Sequence, residues 1–326
     1  MPPSRRSALT VAAPWAGWAL LRATGAERGF PLVPAMAFTR YAAATSVVPL
    51  AVAALTRSRT ALSLAAGAGA LLAGSVLGPA ALGSTGLGRL RRRPAPSTTR
   101  PLRLVSLNML HGRADPDAVV ALVAAADADV LALAEVTPEA VPALRDAGLA
   151  DLLPAVHVVA GPADQPPGSG GALWTRLPVQ EWTAVPGRFG QPSARLTVPG
   201  GRDVEVTAVH THPPTASPGQ VAAWEEDLLL LTEPADDVLR VLAGDFNATP
   251  DHASFRRLLR RGWVDAARAT GRSLRPTWSP ISTRFPRLTL DHVLVDPRIG
   301  VTSLSVVQVP GSDHRALVAE LELPPG

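Results

Sequence analysis

Cysteine is absent from the 326-residue chain, which excludes disulfides and thiolate metal sites. Lysine is absent too, so all 31 basic residues are arginine. With the heavy use of alanine and proline, this reads as the composition bias of a GC-rich genome rather than as a functional signature. Acidic residues are almost missing from the first hundred positions, which hold 12 Arg and the single acid Glu27, a balance of +11. Residues 101–326 hold the other 19 Arg and 26 acids, a balance of −7. The high pI, about 10.9, therefore belongs to the first hundred residues. The remainder lacks the basic excess that a duplex nucleic-acid binder uses to neutralise phosphates. No internal repeat is visible. The length suits one large domain with an extra segment, or two domains.

Long runs without charge are present near the N-terminus. Thr60 to Gly83 is 24 residues without a charged side chain, and about 20 apolar residues cross a bilayer core. Phe30 to Leu55 is interrupted only by Arg40, which can snorkel or face another helix. Ser7 to Leu21 is a third and shorter run. Their Ala/Gly-rich faces permit close helix packing. Residues 1–83 are accordingly expected to be a membrane region with two or three transmembrane helices. Residues 84–100, rich in Arg, Pro, Gly and Ser, are expected to be a juxtamembrane linker whose arginines can lie on anionic headgroups. If all three runs span, Arg5/Arg6 and Arg57/Arg59 lie in the cytoplasm and the C-terminal domain lies outside, giving a multi-pass cell-membrane protein. The cluster Arg89, Arg91, Arg92 and Arg93 opposes that placement. "SRRSAL" from Ser4 also has the form of a twin-arginine export signal, without a clear cleavage site after it.

From Pro101 the pattern changes. "LRLVSLN" alternates as a strand does. Asp115 is placed to cap a helix running to about Ala126. "VLALAEV" is a continuous apolar strand suited to a buried sheet. "GGALWTRLPV", "ARLTV", "DVEVTAVH", "VLRVLAGDFN", "LTLDHVLVD" and "VTSLSVVQV" are further strands, with helices over Gly219–Leu231 and His252–Arg261. Mixed strands and helices over 101–326 predict one α/β domain.

Polar residues close these apolar strands. Asn108 ends the first, and Glu135 sits inside "LALAEV", where an unpaired carboxylate is costly unless a cation compensates it. His210 ends "VEVTAVH", Asp245 and Asn247 end "VLRVLAGDFN", Asp291 and His292 lie in "LTLDHVLV", and Asp313 and His314 lie in "GSDHRAL". Each has an ordinary structural reading as a cap, a turn or an ion-pair partner. Together they are polar groups at strand termini that can converge on one rim.

In that order, "LVSLNM", "VLALAEV", "GGALWTRLP", "VTAVHTHPP", "LAGDFNATP", "PTW", "LDHVLV" and "GSDHRAL" resemble the endonuclease/exonuclease/phosphatase superfamily. That group includes DNase I-like nucleases, inositol polyphosphate 5-phosphatases and sphingomyelinases. The helices before the domain resemble, in architecture, membrane-anchored actinobacterial members related to teicoplanin-resistance proteins. The resemblance implies a four-layer α/β/β/α sandwich and hydrolysis of a phosphoester by in-line attack of water. It implies Asn108, Glu135 and Asp313 as oxygen ligands of Mg²⁺, with Mn²⁺ an alternative. It implies Asp245 as the base for the water, Asn247 as an amide donor to the phosphoryl group, and His314, held by Asp291, as a phosphate contact. His210 matches the other family histidine. Strand phase and the spacing to Pro213 favour it over His212, which stays open. His292 is taken as structural; His111, His157 and His252 have no motif support.

Three functions compete. One is a membrane-anchored, metal-dependent phosphodiesterase or phosphatase acting on a lipid-linked or small phosphoester. The second is a nuclease, which the motifs permit and the acidic domain disfavours. The third is a non-enzymatic membrane scaffold with a lapsed site.

Overall fold

The computed structural model describes residues 5–84, 100–163, 165, 168–283 and 285–326. The stretch expected to be a linker, with its arginine cluster, lies outside the described residues apart from its two ends. Five helices come first: α1 (Arg5–Thr24), α2 (Leu32–Met36), α3 (Thr39–Thr45), α4 (Val47–Leu55) and α5 (Arg59–Ser84). After Arg100 the order is β1 (Leu102–Asn108), α6 (Pro116–Ala125), β2 (Val130–Val136), α7 (Ala140–Asp146), α8 (Leu149–Leu152), β3 (Ala155–Val159) and β4 (Gly170–Thr175). Then come β5 (Val179–Ala184), β6 (Pro192–Leu196), β7 (Val204–His210), α9 (Pro218–Leu230), β8 (Leu239–Asp245) and α10 (Ala253–Arg260). The chain closes with β9 (Val264–Asp265), α11 (Ala266–Ala269), β10 (Asp291–Val295), β11 (Gly300–Gln308) and β12 (Arg315–Glu322).

The strands form two mixed sheets, ordered β11-β12-β1-β2-β4-β3 and β5-β6-β7-β8-β10-β9. Strand periodicity builds the layers, because alternate side chains point to opposite faces. Leu104, Val130, Ala132 and Leu173 from one sheet meet Val206, Ala208, Val241 and Ala243 from the other in the central core. Their neighbours Val105, Leu107, Leu131 and Leu133 pack outward on Val119 and Val123 of α6 and Leu144 of α7. On the opposite side Val209, Leu242 and Leu294 pack on Val221 and Trp224 of α9 and Phe255 of α10. The order is helix, sheet, sheet, helix. Both α6 and α9 begin where the sequence signals it: Asp115 accepts from the N–H groups of Asp117 and Ala118, and Ser217 from that of Gln220.

The N-terminal helices differ from expectation. Phe30 to Leu55 is not one helix but three, α2 to α4. Pro31 and Pro34 crowd its start, and the segment bends to follow the globular domain. Val33 is buried in the same core as Trp224 and Phe255. Arg40 and Tyr41 donate to the carbonyl of Arg287, at 2.9 Å each. Arg22 pairs with Asp251, and Glu27 accepts the N–H of Ala253 at the start of α10. Among the described residues one helix is long and apolar enough to cross a membrane, over Arg59–Gly78; α2 to α4 make a second only if a 43° bend is counted within one span. α1, α4 and α5 pack through small residues, Ala8 with Ala53 and Ala61.

Gly244 lies between β7 and β10, and a Cβ there would overlap the carbonyl oxygen of Val209. Its φ of 153° is also one that L side chains rarely adopt. Gly244→Ala should lower stability in urea denaturation by about 1–3 kcal/mol. Gly219→Ala, in α9 with only Ser217 Oγ within 4 Å, should raise it by about 0.4–1 kcal/mol.

Candidate active site

Strand register gathers the polar residues. In the first sheet β1 runs parallel to β2, with Asn108 opposite Ala134. In the second, β7 runs parallel to β8 with His210 opposite Asp245, and Asp291 of antiparallel β10 also pairs with Asp245. The carboxyl ends of β1, β2, β7 and β8 and the start of β10 therefore share one rim. The turn before β12 joins them, because Ser312 donates its hydroxyl to the Asn108 carbonyl at 2.7 Å and accepts the His314 N–H at 3.0 Å.

A β-bulge delivers Glu135. The β2–β4 register shifts between Ala134 and Val136, so Glu135 leaves the ladder with φ 56° and turns toward the second sheet. Left-handed backbone is unfavourable for a glutamate. Of the six non-glycine residues with positive φ among the described residues, four are at this rim: Leu110, His111, Glu135 and Asn247. Strain concentrated in this way marks a site whose geometry is held by its surroundings.

Asn108 donates its amide to Glu135 Oε1 at 2.9 Å and to Asp245 Oδ2 at 3.1 Å, linking the two sheets. Its Oδ1 accepts the Leu110 N–H at 2.9 Å. The second lone pair of that oxygen is left for a metal ion. Glu135 Oε2 accepts the His111 N–H at 2.9 Å, and Glu135 Oε1 lies 3.9 Å from His210 Nε2. Asp245 Oδ1 accepts the Asn247 N–H at 2.8 Å, and the Asn247 amide donates to the Thr211 carbonyl. His314 Nδ1 lies 2.9 Å from Asp291 Oδ2, while its Nε2 is 3.7 Å from Asp245 Oδ2 and 3.9 Å from Asp313 Oδ1. Trp278 Nε1 donates to Asp313 Oδ2 at 2.8 Å, leaving Asp313 Oδ1 buried without a hydrogen-bond partner.

The two buried histidines differ in charge. Burial alone lowers the pKa of His314, but Asp291 and Asp245 outweigh it and push the pKa up to about 10. His210 is driven down to about 3, first by burial and then by the charge on His314. His314 is thus an imidazolium and His210 a neutral imidazole. Asp245 is pushed up to about 7, first by burial, with the His314 charge opposing and Asp291 adding.

The residues fit a hard divalent cation. Ligand atoms of Glu135, His210 and Asp245 lie within 4.8 Å of one another, and those of Asp245, Asp291 and His314 form a second such group. Anionic oxygens crowded in a buried place, with Asp313 Oδ1 unpartnered beside them, are what a cation would compensate. Asp313 lines the same cleft but belongs to neither group.

The sequence pattern of the endonuclease/exonuclease/phosphatase family matches residues 105–314. The chain belongs to this family. Members are divalent-metal-dependent hydrolases of phosphoesters. The fold is similar to that of an endonuclease/exonuclease/phosphatase from Beutenbergia cavernae, with TM-score 0.57, 23% identity, and 69% of this chain covering 72% of that one. It is also similar to a D. rerio TDP2 complexed with single-strand DNA product (TM-score 0.53, 16% identity, 68% and 99% covered). An endonuclease/exonuclease/phosphatase from Bacteroides vulgatus gives TM-score 0.53 at 17% identity, with 68% and 99% covered. None of the curated proteins compared matches the chain.

All eight residues singled out from the family motifs lie at this rim. Of the two neighbouring histidines, His210 reaches the carboxylates, whereas His212 lies farther out, its N–H on Asp227 Oδ2. Phe189 stacks against both rings, at 4.4 Å from His210 and 5.5 Å from His212. His292 is buried between Asp265 and the Ala248 carbonyl, a structural place. His111 differs from expectation: its Nδ1 is 3.4 Å from Glu135 Oε2 at the cleft mouth. Trp278 and Ser312 lie in the quoted stretches "PTW" and "GSDHRAL" without having been given a role there, whereas Phe189 lies outside every motif and reaches the site from the loop before β6.

His314 folded binds its proton up to about pH 10, whereas the unfolded side chain releases it near pH 6.5. It therefore contributes stability that is complete below pH 6.5 and is lost as pH rises toward 10. His210 has the opposite sign, with stability present above 6.5 and lost as pH falls toward 3. Asp291→Asn should lower the His314 pKa, read by NMR titration of the imidazole, and flatten the loss of thermal stability between pH 7 and 10.

Proposed function

We propose that this chain is a membrane-anchored, divalent-metal-dependent phosphoester hydrolase acting on a lipid-linked or small phosphoester. The observation that carries the reading is the cluster of Glu135, Asp245 and His210 facing the His314 imidazolium at one rim. Glu135 would hold Mg²⁺, or Mn²⁺, with Asp245, Asp313 and Asn108 as further oxygen donors around it. When bound, the ion would stabilise negative charge on the phosphoryl and leaving oxygens. Asp245, fixed by the Asn247 N–H, is placed to orient and deprotonate the attacking water. His314, oriented by Asp291, would contact a phosphoryl oxygen with its free Nε2–H. His210, neutral and stacked on Phe189, would offer a hydrogen bond at the same group. Asn247 would donate to the phosphoryl oxygens after leaving the Thr211 carbonyl.

Membrane attachment is supported by exposure. Only 28% of the Arg59–Gly78 window is buried, unlike the core helix of a globular domain. Leu20, Val47, Leu55 and Leu71 are each more than half exposed. Apolar side chains on that scale suit a lipid surrounding. The net −7 of residues 101–326 disfavours a nucleic-acid substrate.

Full-length protein in detergent with Mg²⁺ should hydrolyse a phosphodiester such as bis-p-nitrophenyl phosphate. Chelation should abolish the activity and re-addition restore it. Asp245→Ala should reduce the rate about 10²–10⁴-fold. Wild-type protein inert with both Mg²⁺ and Mn²⁺ on phosphomonoesters, diesters and pyrophosphates would overturn the reading.

A further inference from the structure

The cleft above the carboxylates has a volume of about 690 Å³ and two unlike walls. Its floor is Glu135, Asp245 and His314. The same cleft is also lined by Pro34, Ala37 and Phe38 of the N-terminal segment and by Leu288 and Leu290 of the globular domain. Ala37, Leu288 and Leu290 form one buried cluster, against which Tyr41 and Trp278 pack. The family match begins only at residue 105, and the Bacteroides vulgatus structure is covered over 99% of its length by 68% of this chain. The N-terminal wall therefore lies outside the shared fold.

We propose that Pro34 to Phe38 form part of the substrate site, an apolar wall that takes the hydrocarbon tail of a phosphorylated lipid whose phosphate lies beside Glu135, Asp245 and His314. This rests on the hydrolase reading above and adds the substrate's second half. Three observations converge on it.

The wall is fixed in place. Val33 is 2% exposed, and on either side of it Glu27 caps α10, Arg22 pairs with Asp251, and Arg40 bonds the carbonyls of Arg287 and Leu274. Asp251 and Ala253 follow directly on the stretch that carries Asp245 and Asn247, so the same anchor sets the distance between wall and floor.

The wall is apolar throughout. Pro34, Ala37, Phe38, Leu288 and Leu290 offer no side-chain hydrogen bond, so a sugar or a nucleotide would lose water there without replacing its partners. A hydrocarbon chain loses nothing and removes apolar surface from water.

The wall continues outward into apolar surface. Phe38 is 39% exposed and lies 6.2 Å from the Tyr41 ring, which meets Phe285, 61% exposed, at 5.1 Å. The chain then runs from Phe38 into α3, α4 and the bilayer-length α5. This apolar surface would meet the tail of a lipid that reaches the cleft from the side of α3 to α5.

The test uses full-length protein in phosphatidylcholine vesicles and a hexadecyl phosphate with a diazirine in mid-chain. Photolysis should label the peptide containing Pro34–Phe38. Unlabelled hexadecyl phosphate should compete, and butyl phosphate at equal concentration should not. In hydrolysis, Phe38→Glu should lower the ratio of kcat/KM for a long-chain ester over a short-chain ester about tenfold. Labelling elsewhere, competition by butyl phosphate, or an unchanged ratio would overturn the proposal. Competition by a short oligonucleotide instead would overturn it in favour of a base stacked on Phe38. Specific labelling of Pro34–Phe38 in a protein that hydrolyses no phosphoester would sustain the wall and sink the hydrolase reading.

Discussion

Glu135, Asp245 and Asp291 share a rim with one imidazolium, and the rest of the structure serves to hold them there. Carboxylates buried together repel, and each loses hydration. The protein offsets this with fixed donors. Asn108 bridges Glu135 and Asp245, the Asn247 N–H holds Asp245, and His314 stands between Asp245 and Asp291. The rise in the Asp245 pKa is the sign that the offset is incomplete. On the proposed reading a divalent cation would complete it, and its charge, with that of His314, would attract a phosphoryl group that the carboxylates alone repel.

The sandwich explains how such a cluster can persist. Two sheets present the ends of five strands at one edge, and each strand is anchored by an apolar face that cannot slip by one residue without exposing its core. Gly244 lets β8 lie close against β7, which sets Asp245 beside His210. The bulge at Glu135 places a left-handed glutamate where a regular strand would point it elsewhere. Local backbone cost is accepted at the rim because the packing below over-determines it.

Much of this was legible in the sequence. Strands β1, β2, β7, β8 and β10 are apolar runs ending in polar residues, so both their type and their site-bearing ends could be read. β3 and β5, at the sheet edges and only partly buried, carry weak patterning and went unread. The bulge at Glu135 was not legible, because it depends on pairing with β4. Nor was Phe189, which reaches the site through tertiary contacts alone, nor the bond from Trp278 of "PTW" to Asp313. The N-terminal segment shows a deeper limit. Apolar residues that pack on protein and those that face lipid have the same hydropathy, so Val33 and Ala37 read as bilayer residues although they are buried against the globular domain. Arg40, read as an awkward charge in a span, instead bonds two backbone carbonyls.

The central claim is that the buried carboxylates need a cation, and that Asp245 gives up a proton when one binds. Calorimetric titration of full-length protein with Mg²⁺ at pH 6, repeated in buffers of different ionisation enthalpy, measures both at once. The account predicts binding with release of protons, less release in Asp245→Asn, and binding weakened in Glu135→Gln. Binding of equal strength in wild type and Glu135→Gln, or binding without proton release in the wild type, would contradict it.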